Sequence, residues 1–240
     1  MAKKAAAKRA SSKTKRPARR GTAGTTRAKP RGRQEEAEQP GAEPAQAAPS
    51  GDPAAALRRA LLSLVATQGW RDLSFAEIAE EAGVPIAEAH RIYRSKAAIL
   101  LGLSRALDEK ILSGLEADPL EGSAKDRLFD LLMRRFDVLK EDAAAYRRLM
   151  RQLPATPPEF AAMLCRVRRS LALMLETAGV SASGLKGVLR LKGLCAIYMA
   201  GLRAFANDES ADLSETMAEI DKRLGQAERI SEMFHRRRAA

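Results

Sequence analysis

The chain is predicted to be all-α, on three observations. Aromatics are only 4% of its 240 residues, and Leu, Ala and Met supply most of the apolar mass. Ala and Leu favour helix, whereas β-branched residues favour strand. From Leu57 onward, apolar residues recur three and four positions apart, the period of a single helix face. Gly, Pro and Ser fall where those stripes break, as helix ends require. An apolar fraction of 45% with 30% charged residues fits a folded, soluble chain.

Charge divides the chain. Residues 1–33 hold thirteen Lys or Arg and no acid, and residues 34–50 hold four Glu and no base. The first fifty positions therefore carry +9 of the net +12, and they contain no Leu, Ile, Val, Phe, Trp or Tyr. A segment with nothing to bury cannot offset the entropy of ordering, so residues 1–52 are expected to form a disordered basic tail. Such a charge calls for a polyanion, either nucleic acid or an anionic membrane surface. Lys3, Lys4, Lys8, Arg9, Lys13, Lys15, Arg16, Arg19 and Arg20 are candidate contacts of a flexible arm to DNA phosphate. The alternative is a solvated extension. An organelle transit peptide would need an amphipathic apolar face, and this stretch offers only Ala. No apolar run approaches the ~20 residues of a membrane span.

Residues 53–100 read as a first folded unit of short helices. Leu57, Leu61, Leu64 and Val65 form a stripe that ends near Gly69. Trp70, the only Trp, is expected in a small core. Ser74-Phe75-Ala76-Glu77 is a capping box, opening a helix through Ile78, Ala79 and Ala82 that stops at Gly83. Pro85 suits the first turn of the next helix, Ile86 to Tyr93, because its missing N–H would be unpaired there anyway. Ser95 caps a further helix beginning at Lys96. Helix, Gly turn, short helix is the helix-turn-helix arrangement, whose second helix enters the major groove.

These residues resemble the TetR family of bacterial regulators. Gly69-Trp70, Phe75 to Val84 and Ile92 to Leu100 carry the likeness. It implies a cytoplasmic, nucleoid-associated regulator that binds double-stranded DNA as a homodimer through a recognition helix at Pro85 to Tyr93. Ser74, Pro85, Ile86, Ala87, Glu88, His90, Arg91, Tyr93, Arg94 and Lys96 are its implied DNA-facing residues, with Lys96 on phosphate. Glu88 departs from the family's usual Thr or Ser, and no Gly stands in the helix.

Residues 101–240 carry the remaining stripes and read as a helical ligand-binding and dimerisation domain. Leu128, Leu132, Phe136 and Leu139 mark one helix; Tyr146, Leu149, Met150 and Leu153 a shorter one, closed by Pro154 and Pro157-Pro158. Phe160 to Leu175 forms a long stripe before Gly179. Leu185 to Phe205 is apolar on most faces, and Leu213, Met217, Ile220 and Leu224 line the last helix. In TetR regulators the last two helices build the dimer, which implies Leu194, Tyr198, Leu202, Met217, Ile220 and Leu224 at an interface; completing the protomer core is the alternative. Met133, Phe136, Met150, Met163, Met174 and Met199 are candidate pocket residues, because Met adapts to irregular apolar ligands; a plain core is the competing reading. Cys165 and Cys195 are expected in the apolar interior. No phosphate loop, metal-ligand spacing or nucleophile–base pair is present, so neither catalysis nor a metal or other cofactor is expected. A rival likeness, through Asp126 to Asp137 and Leu191-Lys192-Gly193, is to the ubiquinone-biosynthesis accessory proteins that share the TetR fold, which bind lipid and associate with membranes.

Overall fold

A computed structural model describes residues 51–239; the basic tail lies outside them. The described residues form helices α1 (Pro53–Thr67), α2 (Phe75–Glu81), α3 (Ile86–Ile92), α4 (Lys96–Gly114), α5 (Ala124–Glu141), α6 (Ala143–Gln152), α7 (Pro157–Thr177), α8 (Gly184–Asn207) and α9 (Ser214–Ala239), with a 3-10 turn at Leu153–Ala155. No described segment is a strand. No described helix is long and apolar enough to cross a membrane.

Helix starts follow the capping chemistry written in the sequence. The Asp52 carboxylate accepts from the Ala54 N–H at 2.9 Å, and the Ser95 hydroxyl from the Ala98 N–H. The capping box at Ser74 is closed: the Glu77 N–H donates to Ser74 Oγ at 3.2 Å and the Ser74 N–H to Glu77 Oε2 at 2.7 Å. Ser123 and Asp126 make a second box at the head of α5, which the sequence reading did not identify. Pro85 stands one residue earlier than expected, at the N-cap of α3 rather than inside its first turn.

Two apolar clusters hold the helices together. The first joins α1 to α4 with α6 around the fully buried Trp70, Leu57, Leu61, Ile78 and Ile99. The second joins α4, α5, α7, α8 and α9 around Phe136, Leu171, Phe205 and Ile220. α4 belongs to both, through Ile99 and Leu100 at one end and Leu107 and Ile111 at the other. At the α8–α9 corner the buried Asp208 carboxylate accepts from the backbone N–H and hydroxyl of Thr216, each at 2.8 Å, and from Ser210.

The cysteine expectation is corrected. Cys165 is exposed on α7, whereas Cys195 is half-buried, and desolvation pushes its thiol pKa up. Position 165 lies on the solvent side of an amphipathic helix whose buried stripe runs through Val167, Leu171 and Met174.

Candidate nucleic-acid interface and ligand cavity

α2 and α3 meet through a turn at Gly83, whose φ of +64° lies in the left-handed region that a side chain disfavours. α3 turns Ala89 into the core and leaves Pro85, Ile86, Ala87, His90 and Arg91 exposed, with Arg94 and Ser95 following. Ile86, 56% exposed, is a large apolar side chain with nothing to cover it. His90 stands edge-on to the Phe75 ring at 6.3 Å. Glu88 is half-buried. The hydroxyl of Ser74 is occupied as the α2 cap.

Two of the implied DNA contacts hold the scaffold instead. The Tyr93 hydroxyl accepts from Arg58 of α1 at 2.8 Å. Its ring lies so close to Gly102 of α4 that a Cβ there would be 2.6 Å away. Lys96 was expected on phosphate. Its ammonium donates to the carbonyls of Leu73 at 2.7 Å, Trp70 at 2.9 Å and Arg71 at 3.4 Å, and lies 4.8 Å over the Trp70 ring. It closes the α1–α2 connector onto the start of α4, because three carbonyls converge where only a multi-donor cation can satisfy them together.

α6 ties this unit to the rest. Arg148 donates to the carbonyls of Ala66, Thr67 and Gln68 at the end of α1, satisfying groups that a helix terminus leaves unpaired. Gln152 accepts from the Trp70 N–H at 2.6 Å.

The other side of α6 faces a cavity of about 470 Å³, where Tyr146, Leu149 and Met150 meet Leu103, Phe160 and Met199. The volume falls within the roughly 300–1,000 Å³ of small-molecule sites. Of the expected pocket residues Met150, Met163 and Met199 line it. Met133 and Phe136 are buried in the second cluster, where Phe136 packs on Tyr198 and Phe205, and Met174 borders only a void of about 10 Å³. Stripe spacing identifies apolar side chains but not which of them stay unfilled by neighbours.

The cavity also has a polar end that the apolar stripes hid. Arg135, nearly inaccessible, donates from Nη1 to Asp108 at 2.7 Å and to Ser170 at 2.8 Å, and from Nε to the Tyr198 hydroxyl at 3.0 Å. Arg166 closes on the other Asp108 oxygen. Burial opposes the Arg135 charge, yet Tyr198 and Asp108 hold its pKa above the ordinary value. Ser104 and Asp108, one turn apart between Leu100 and Ile111, were the available sequence signal: polar residues inside a helix's apolar face. Among the described residues no cluster of His, Cys, Asp or Glu could hold a metal ion.

No protein-family model matches the sequence, and no curated protein matches it either. Solved structures do. A TetR transcriptional regulator from Nitrosomonas europaea superposes with a TM-score of 0.59 at 22% identity, over 73% of this chain and 98% of that one. The fatty acid degradation regulator FadR from Bacillus halodurans gives 0.52 at 17%, over 72% and 95%. The regulator FadR from Bacillus subtilis, in complex with stearoyl-CoA, gives 0.51 at 19%, over 71% and 96%. The chain has the TetR fold.

Within the TetR fold, the six residues implied at a dimer interface lie mostly inside the protein. Leu194, Tyr198, Ile220 and Leu224 are buried by their own protomer, and Leu202 is half-buried along the cavity. Only Met217 of the six is exposed. The uncovered apolar side chains of the last two helices are instead Leu185, Val188 and Leu189 on α8, with Met217, Ile230 and Met233 on α9. A helix apolar on most faces buries one face in its own core and leaves another bare, and periodicity alone does not say which.

Proposed function

We propose that the protein is a DNA-binding transcriptional regulator that responds to a small apolar ligand. The observation that carries the proposal is α3: a short helix on a capped α2 and a Gly turn, anchored by Ala89, with Ile86, Ala87, His90 and Arg91 bare to solvent. In a helix-turn-helix that surface enters the major groove. Arg91 is its base-reading cation, and Arg94 and the free N–H groups at the start of α4 take phosphate. Lys96 serves the interface indirectly, by fixing the connector and the head of α4. The tail cations at positions 3 to 20 add sequence-independent affinity.

The protein acts as a homodimer. Leu185, Val188 and Leu189 of α8 with Ile230 and Met233 of α9 form the pairing face, since a patch of large exposed apolar side chains marks an interface, and two-fold pairing sets two recognition helices about 34–36 Å apart. Residues 53–100 act as the DNA-binding domain and residues 101–240 as the ligand-binding and dimerisation domain. α6 links them, its Arg148 and Gln152 on the α1 terminus and its Tyr146, Leu149 and Met150 on the cavity. One solved structure of this fold holds an acyl-CoA, which supports an apolar ligand here.

Mapping the protein's positions across its own genome tests the reading. Discrete sites that fit a two-fold operator support a regulator. Continuous coverage would make it a nonspecific nucleoid protein, and absence from DNA would remove the function altogether.

A further inference from the structure

The 470 Å³ cavity is apolar along most of its wall, yet one end gathers hydrogen-bond donors that lack acceptors. Arg135 uses Nε and Nη1 but makes no bond from Nη2 to any described residue. Tyr198 accepts from Arg135 and keeps its own proton to give. Ser104, buried and in the cavity wall, has a hydroxyl without a partner. Tyr146 borders the same cavity, and its hydroxyl bonds to no described residue. Burial, then Asp142, pushes that phenol's pKa up, while Arg135 and Tyr198 are close enough to act on it as well.

The charge is also unbalanced. Two guanidinium groups, Arg135 and Arg166, share the single buried carboxylate of Asp108, which is saturated by them and by Ser170. Glu141 and Asp142 stand in solvent. With Asp108 shared between the two guanidinium groups and Arg166 only half-buried, the buried Arg135 keeps a donor that is costly until an anion supplies the acceptor. The two arginines at the mouth, Arg151 and Arg203, are exposed, so water already satisfies them. The demand lies at the inner end.

We propose that the ligand is a carboxylic acid with a long apolar chain, seated with its carboxylate inward on Arg135, Ser104, Tyr146 and Tyr198 and its chain along Leu103, Phe160 and Met199. This inference rests on the ligand-responsive reading above and names the class of ligand.

The test titrates the purified full chain with palmitate, methyl palmitate and palmitoyl-CoA, each read by displacement of Nile red. Palmitate is expected to bind at least about tenfold tighter than the ester, since a charged hydrogen bond is worth about that factor or more. Ser104→Ala and Tyr146→Phe remove hydroxyls with no protein partner, so both variants should unfold at the wild-type temperature. Each should weaken palmitate by roughly three- to tenfold and leave the ester unchanged. Ester or palmitoyl-CoA binding as tightly as palmitate, or variants that affect all three alike, would overturn the inward carboxylate while leaving an apolar-ligand regulator standing. Displacement by none of the three would overturn the ligand class, and the ligand-responsive reading with it. Genome mapping reads DNA binding separately.

Discussion

Replacing Lys96 with Met separates two roles for one ammonium group. Met keeps the apolar stem against Trp70 and removes only the charged head. That head makes two short bonds, to the carbonyls of Leu73 at 2.7 Å and Trp70 at 2.9 Å, and a longer one to Arg71. A bond from a charged donor contributes roughly 1.5–3 kcal/mol, and the half-buried setting favours the low end, so the short pair is worth about 3 kcal/mol. The cation over the indole adds about 0.5–1 kcal/mol at such exposure. Met orders a stem of similar length against the same ring, so the rotamer cost is nearly unchanged. The net loss is about 3.5 kcal/mol, or about 7–14 °C in Tm for a folded region of this size. Thermal unfolding and a DNA gel-shift on the same preparation check it, and both should decline. A variant that unfolds at the wild-type temperature but no longer binds DNA would refute the clamp, because the ammonium would then have been free for phosphate.

Three further outcomes are expected. Asp108→Ala strands the buried Arg135 guanidinium and unpairs the half-buried Arg166, and should lower stability by about 3 kcal/mol; a urea midpoint within error of wild type would show that solvent reaches the cluster. Burial pushes the Asp208 carboxyl up, but bonds from Ser210 and Thr216 outweigh it and depress the pKa from 3.8 to about 2. The carboxylate's contribution is therefore complete above about pH 5 and is lost as pH falls through about 2. Asp208→Asn should cost about 2 kcal/mol at pH 7 and only a small fraction of that at about pH 2, and a pH-independent difference would contradict this. Deleting residues 1–33 should weaken binding to all DNA sequences and flatten its salt dependence by about 0.9 in slope per lost phosphate contact. An unchanged slope removes the arm from the mechanism.

What the sequence made legible was local. The Ser74-to-Glu77 box, the turn at Gly83 and the cap at Ser95 are each set by neighbours three or four residues away, and each stands where the spacing put it. What stayed hidden depends on partners far along the chain. Nothing near Lys96 announces that the carbonyls of Trp70 and Leu73 will converge on it from more than twenty residues away. Periodicity shows that α8 is apolar on most faces but not which of them the chain covers itself, and here Leu194 and Tyr198 are buried while Leu185 and Leu189 are bare. The same limit applies to the cavity. A methionine stripe does not tell a filled space from an empty one, whereas Ser104, Asp108 and Arg135 interrupt apolar stripes and were the better sign of a lined chamber.

One consequence follows from α4 serving both clusters. Its first turns are fastened among α1, α3 and the Trp70 connector, and its later turns run beside Ser104 and Leu107 at the chamber wall. If the chamber fills as proposed, α4, an unbroken helix shared by both clusters, would carry a push at the wall to the helices that face DNA, with the α3 surface itself left unchanged. In a paired molecule the variable under ligand control would then be the gap between the two α3 helices, so operators should be discriminated by spacer length when the chamber is filled and by sequence at all times.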